Sequence, residues 1–344
     1  MTPMGTGLIS YVFPIYNESG NIALLHQTMS EVVKPLAYDV EFVFVNDGSR
    51  DDSLELLIEL TRSDPRCRVI DLSRNFGHQL AVTAGVDAAR GDAIIIMDSD
   101  MQDPPEVSLE LIAKWEEGYD VAYAQRRSRQ DTAFKKLTAD LFYRTLNALS
   151  EIEIPRNTGD FRLISRRAAD QLAQYREHDR FLRGMISHAG YKQIAVPFDR
   201  HARHAGETGY PLRKMLRFAA DGIMGFSSKP LQLITRVGYV FSVLALLGIL
   251  YVLFVRIFFP EVAVAGWAFT VIVILLVGGL QLVMMGIIGS YVGRIYTEVK
   301  NRPLYGVQET YGFSAGPGVA GVPTAVEVTA SPGTDESEGA ATTA

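Results

Sequence analysis

Asp98, Asp100 and Asp103 close the apolar run Ala93 to Met97, within I-I-I-M-D-S-D-M-Q-D-P-P-E. Asp98 and Asp100 stand two apart, close enough to share a hard divalent cation, and Gln102 can add a carbonyl oxygen. Mg²⁺ typically takes one or two carboxylates and fills its shell with water and substrate phosphate. The same acids also suit an acidic cap on the helix that Pro104 and Pro105 begin. On this segment alone both readings stand.

The surrounding alternation has to position such a cluster. Residues 8–14, 40–45, 68–72, 93–97 and 121–124 read as short strands, and 20–33, 52–62, 78–90 and 106–116 as helices. That order predicts βαβ units on a mostly parallel sheet, with ligands outside the carboxyl ends of its strands. The first strand leads into Pro14, Tyr16, Asn17 and Glu18, the second into Asn46-Asp47-Gly48-Ser49, and the fourth into the Asp98 cluster. Asp47-Gly48-Ser49 is also what a plain turn with a helix cap looks like. No G-x-G-x-x-G follows the first strand and no G-x-x-x-x-G-K-[ST] occurs, which removes the usual warrants for a dinucleotide fold or a P-loop.

Beyond Asp120 the chain turns basic, with Arg126, Arg127, Arg129, Lys135, Lys136 and Arg144, and a long helix is expected over 132–149. A second basic segment runs Arg200-His201-Ala202-Arg203-His204. The formal net charge of −6 argues against a nucleic-acid binder, so basic loops in this chain favour a smaller anionic partner. Cys67 is the single cysteine, which excludes an intramolecular disulfide and a thiolate zinc cluster.

Residues 211–226 carry Arg213, Lys214 and Arg217 opposite an apolar stripe, a pattern for a helix lying in a membrane interface or on a protein core. Residues 237–255 and 262–293 hold no charged side chain and are each long enough for a ~30 Å hydrocarbon core. Lys229 and Arg236 precede the first, Arg294, Lys300 and Arg302 follow the second, and the connector carries Glu261. Positive-inside bias then places the large domain in the cytoplasm, and no signal peptide is expected before Leu8. Beyond about Thr310 the chain is rich in Gly, Ala, Pro, Ser and Thr without Lys or Arg, so a disordered tail is expected. The expected division is a catalytic domain over 1–210, an interfacial helix over 211–230, two spans within 231–303 (237–259 and 265–290), and a tail over 304–344.

The motifs F-P-I-Y-N-E, V-N-D-G-S-R-D, D-S-D-M-Q-D-P-P-E, F-Y-R, G-D-F-R-L and R-H-A-G-E-T-G-Y occur in this order ahead of the two apolar segments. Together they resemble the inverting family 2 glycosyltransferases of GT-A fold. The nearest subgroup is the polyprenyl-phosphate glycosyltransferases, which include bactoprenol glucosyltransferases and dolichol-phosphate mannose synthases. The resemblance implies that Pro14, Tyr16, Asn17 and Glu18 shape the nucleotide pocket, with Asp47 near the base or ribose. It gives Asp98, Asp100 and Gln102 to Mg²⁺ or Mn²⁺ on the donor pyrophosphate, and Asp160 to the acceptor side. Arg126, Arg144 and Arg203 would grip the lipid phosphate. Gly209 stands where the family often has Lys.

The implied partners are a nucleotide sugar, undecaprenyl or decaprenyl phosphate, membrane lipid and further copies of the chain. UDP-glucose is the first expectation, because G-D-F-R-L resembles the glucosyltransferase version. GDP-mannose, UDP-N-acetylhexosamine and UDP-galactose are the alternatives. A processive polysaccharide synthase normally has Q-x-x-R-W, where this chain reads Q-L-I-T-R, and a non-catalytic membrane module has no need of the Asp98 cluster.

Overall fold

The computed structural model describes residues 7–127, 158–199, 229–259 and 266–313. The expected helix over 132–149, the basic loop with Arg203, the amphipathic helix over 211–226 and Arg144 lie outside the described residues.

Short apolar runs become strands here because both of their faces are covered. β1 (Leu8–Ile15) is buried almost throughout. Its alternate residues Tyr11 and Phe13 pack with α1 (Ser19–Val33) and α4 (Val107–Glu116) on one side of the sheet. Val12 faces the other way, onto α3 (His78–Ala88). A strand with the period-two pattern and no polar face is the mark of a sheet sandwiched between helices. β2 (Asp39–Asn46), β3 (Cys67–Leu72) and β4 (Ala93–Ile96) continue the parallel set, with α2 (Ser53–Ser63) between β2 and β3. β5 is Val121–Arg126.

Four further elements of the sheet layers lie in sequence that the strand and helix pattern did not resolve. They are β6 (Thr158–Ser165), α5 (Arg166–Gln174), α6 (Leu182–His188) and β7 (Gln193–Phe198). The eight-stranded sheet has the order β7-β5-β6-β4-β1-β2-β3-β8, where β8 is Val307–Tyr311. Pairs β1–β2, β1–β4, β2–β3 and β5–β7 are parallel. β6 is antiparallel to both β4 and β5, and β8 to β3. The expected mostly parallel α/β sheet is therefore what forms.

β8 corrects one expectation. The tail was expected to begin at residue 304, yet Val307, Glu309, Thr310 and Tyr311 pair with β3. Composition averaged over a long Gly- and Ala-rich segment conceals five residues that alternate V-Q-E-T-Y and cap a sheet edge. One edge of the sheet is thus closed by a strand that lies far along the chain, after the apolar helices.

α7 (Lys229–Phe258) and α8 (Trp267–Val299) are two helices long and apolar enough to cross a membrane. Their candidate spanning stretches are unburied by the rest of the protein.

Candidate active site

The register of β6 assembles the site. It runs antiparallel to β4 with Ile96 opposite Arg162, so two residues further on Asp160 comes level with Asp98. A residue near the start of one strand thereby meets the carboxyl end of another, at the crevice edge where open α/β sheets bind ligands.

Asp160 is buried and held from several sides. His78 Nε2 donates to its Oδ2 at 3.0 Å and Gln79 Nε2 to the same oxygen at 3.1 Å. Arg183 Nε donates to Oδ1 at 2.8 Å, and Arg162 Nη2 stands 3.9 Å from it. Burial pushes the Asp160 carboxyl up, but the His78 hydrogen bond and the charges of Arg183 and Arg162 outweigh it and hold it far below the usual range. Burial brings Arg162 down to about 10, still charged at neutral pH. Asp160 is a fixed anion in a surplus of positive charge. Such a group is a poor proton acceptor and a good positioning device.

His78 bridges two carboxylates. It contacts Asp160, and its Nε2 also lies 3.6 Å from Asp98 Oδ1. Burial lowers its pKa, but the Asp160 hydrogen bond and the Asp98 charge raise it more. His78 opens α3 directly after Gly77, whose φ of 99° turns the chain from the end of β3 into the helix. Gly77 and His78 line a cavity of about 230 Å³ together with Pro14, Ile15, Tyr16, Asp47 and Asn75.

Asp98 Oδ1 is inaccessible and has no hydrogen-bond donor. Burial and the neighbouring charges of Asp160, Asp100 and Asp103 push its carboxyl up, with His78 opposing. A crowded carboxylate with an unsatisfied inward oxygen fits a hard divalent cation, and the oxygen donors of Asp98 and Asp100 are of the right kind. Asp100 Oδ1 accepts from the backbone N–H of Gln102, and Met101 between them has a φ of 54°. Gln102 thus braces the loop through its main chain.

Among the described residues, the group of three ligand-type side chains drawn closest together is elsewhere: His26, Asp64 and Cys67, within 4.8 Å of one another. Arg66 already occupies that Asp64 through Nε and Nη2, and burial pushes the Cys67 thiol up to about 12. This cluster is a structural clasp.

The expected donor residues divide into two sets. Pro14, Tyr16 and Asp47 line the cavity. Asp47 also spends its oxygens on the loop, Oδ1 accepting from Phe76 N–H at 2.7 Å and Oδ2 from Gly77 N–H at 2.9 Å. The turn expected at Asp47-Gly48-Ser49 forms, since Gly48 turns at φ 65° with no room for a Cβ beside Arg74 and Asn75, whereas the helix that follows begins after Asp52 with no side-chain cap. Asn17 and Glu18 serve the scaffold: Asn17 Oδ1 accepts from Arg50 N–H, its own N–H donates to Ser49 Oγ, and Glu18 N–H donates to Ser53 Oγ. Arg126, expected on a phosphate, donates through Nη2 to Asp103 at 3.2 Å. Sequence reasoning missed His78, Gln79 and Arg183.

The chain is similar to known proteins over most of its length. The family model described as glycosyl transferase family 2 matches residues 10–173. YkcC of Bacillus subtilis (strain 168), described as an uncharacterized glycosyltransferase, is 48% identical over 305 residues, covering 88% of this chain and 94% of that protein. A prophage bactoprenol glucosyl transferase homolog of Escherichia coli (strain K12) is 39% identical over 298 residues, covering 86% of this chain and 97% of that protein. The bactoprenol glucosyl transferase of Shigella phage SfII is 38% identical over 305 residues, covering 88% and 98%. Among solved structures, glucosyl-3-phosphoglycerate synthase from Mycobacterium tuberculosis, with Mn²⁺ and UDP-glucose, has 18% identity and a TM-score of 0.41, covering 63% of this chain and 77% of that one. The relatives, matched over most of both chains, define a glycosyltransferase. The chain belongs to glycosyl transferase family 2.

Proposed function

We propose that this protein transfers a hexose, glucose first, from a UDP-sugar to a polyprenyl phosphate at the cytoplasmic face of the plasma membrane, with inversion at the anomeric carbon. The observation that carries this is the extent of the similarity. Relatives named bactoprenol glucosyl transferase match 86–88% of the chain, well beyond the sheet domain matched at 10–173. α7 and α8 then cross the bilayer, and the Lys and Arg residues at their outer ends keep the sheet domain in the cytoplasm.

The donor nucleotide occupies the cavity beside Pro14, Tyr16 and Asp47. Asp98 and Asp100 hold Mg²⁺ or Mn²⁺, which offsets charge on the departing diphosphate when bound. The cationic surplus of Arg183 and Arg162 around Asp160, with His78 beside them, draws in the acceptor phosphate. A phosphate oxygen attacks the anomeric carbon as the bond from that carbon to the nucleoside diphosphate breaks. A phosphate monoester with a second pKa near ~6 is largely dianionic at neutral pH and needs no base. Asp160, ionised throughout, fixes the surrounding cations and so orients the acceptor. Arg126, Arg144 and Arg203 complete the phosphate-binding side, and several copies of the chain assemble in the membrane.

The test is transfer of label from a panel of nucleotide sugars to undecaprenyl phosphate, with and without EDTA. Chelator-sensitive labelled lipid from UDP-glucose is the expected result. Labelling from another donor alone would replace the sugar and keep the class. No lipid product from any donor, with folded protein present, would overturn the reading.

A further inference from the structure

The last turns of α8 grip the sheet domain at one loop. Glu298 accepts from His178 twice, Oε1 from the backbone N–H at 2.8 Å and Oε2 from ring Nδ1 at 3.2 Å. One turn earlier, Arg294 Nη1 donates to Asp179 Oδ2. Residues four apart share a helix face, so this is a single contact surface with one ion pair and one hydrogen-bonded His–carboxylate pair. The chain leaving α8 grips the same loop from its other end. Tyr305 donates its hydroxyl to Asp87 Oδ2 at 2.8 Å, and Arg176 Nη1 donates to that oxygen at 2.8 Å.

The loop so held, 175–181, runs straight into α6, where the residues reaching Asp160 begin. Leu182 N–H donates to Gln79 Oε1 at 3.0 Å, and the amide of the same Gln79 donates to Asp160. The next residue, Arg183, donates to the other Asp160 oxygen. Polar contacts at the two ends of residues 178–183, joined by the backbone between them, therefore link α8 to the buried carboxylate.

We propose that Arg294 and Glu298 are positioning residues for the transfer reaction. By seating loop 175–181 they set Arg183 and Gln79 against Asp160, so the acceptor carboxylate is aligned only when α8 is docked on the sheet domain. This rests on the polyprenyl-phosphate reading, and it deepens it. A lipid phosphate enters at a height fixed by the membrane, so the group that receives it must be registered to the helix that spans that membrane. A misplacement of about 1 Å at such a site can cost on the order of a hundredfold in rate.

A charge exchange tests it with full-length protein in lipid nanodiscs. Asp179→Arg and Arg294→Glu, made singly, are expected to lower kcat for transfer to undecaprenyl phosphate by about ten- to a hundredfold. The KM for the nucleotide sugar should stay unchanged. The protein carrying both should recover to within a few-fold of wild type, because the exchanged charges re-form the pair, while loss confined to kcat is what separates positioning from a merely stabilising contact. Glu298→Gln, a milder change, should give a smaller loss with the same split between kcat and KM. Without substrates, hydrogen exchange over 182–186 should rise in each single variant and fall again in the double. Singles with wild-type kcat and exchange, or a double no better than the worse single, would overturn the proposal. Wild-type protein inactive on every acceptor would overturn the transfer reading alone, since the exchange comparison still decides the clasp.

Discussion

His78 and Asp160 lie 82 residues apart in the chain, and their side chains meet at 3.0 Å. The contact joins the helix that follows β3 to the strand that returns beside β4. It places an imidazole between the two carboxylates, Asp98 and Asp160, that face each other across the crevice.

If the pair acts as one unit, substitutions in it are not independent. Asp160→Asn is expected to lower the transfer rate more than about tenfold, and His78→Ala to lower it comparably. In the double variant the second change should cost less than it does alone, as coupled neighbours in a double-mutant cycle do. Rates that multiply across the cycle would show that the two residues act separately. Because Asp160→Asn leaves Arg183 and Arg162 without their counter-charge, melting of each variant must be measured alongside.

The pH dependence follows from the directions of two shifts. Asp160 is depressed, so its contribution to stability is fully present above the ordinary carboxylate pKa and is lost only as pH falls through its much lower folded value. Between pH 5 and 8 it adds no slope. His78 is raised, so its contribution is complete below its unfolded pKa near ~6.5 and is lost as pH rises through the folded value. Thermal melting in EDTA should therefore show a stability decrement as pH rises above ~6.5 that His78→Gln removes. An identical decrement in the variant would assign it to another group.

Metal binding and stability should trade against each other at Asp98. Burial and like charge raise its carboxyl, so the ionised form costs the metal-free fold at neutral pH. Asp98→Asn should raise the melting temperature in EDTA while removing transfer activity, as expected where function holds a destabilised group. Asp100→Asn should nearly abolish turnover, and EDTA-treated wild type should recover with Mg²⁺ or Mn²⁺. Normal turnover in Asp100→Asn would sink the metal assignment.

The legible part of this protein is what periodicity and strand ends encode. Ile94 to Ile96 followed by Asp98 identifies both a buried strand and the crevice it opens onto, because one short segment carries both signals. Residues 73–78 end β3 in the same way, and the strand-end rule applied there reaches His78, which no composition signal marks. Arg183 was not legible at all. It reaches Asp160 from a seven-residue helix beyond the end of α5, and only the tertiary fold brings that helix to β6. Asn17 shows the converse, since its Oδ1 accepts from Arg50 N–H and is spent on the loop itself.

β8 is the element that composition hid, and its role can be measured by truncation. Its pairing with β3 covers what would otherwise be an open sheet edge, a recognised liability for association. Just beyond it, the Phe313 ring receives the Arg68 guanidinium at 5.5 Å, and Gly312 turns at φ 77° close over the Cys67 carbonyl. Arg68 is itself buried and paired with Glu41 at 2.8 Å, so losing the cover would expose a charged pair along with the strand. Ending the chain after Phe313 should leave the melting temperature of the sheet domain unchanged. Ending it after Arg302 should lower that temperature and increase concentration-dependent association, read by melting and by light scattering in the same detergent. Equal stability of the two truncations would show that β3 needs no partner on that side, and that the pairing is incidental to the fold.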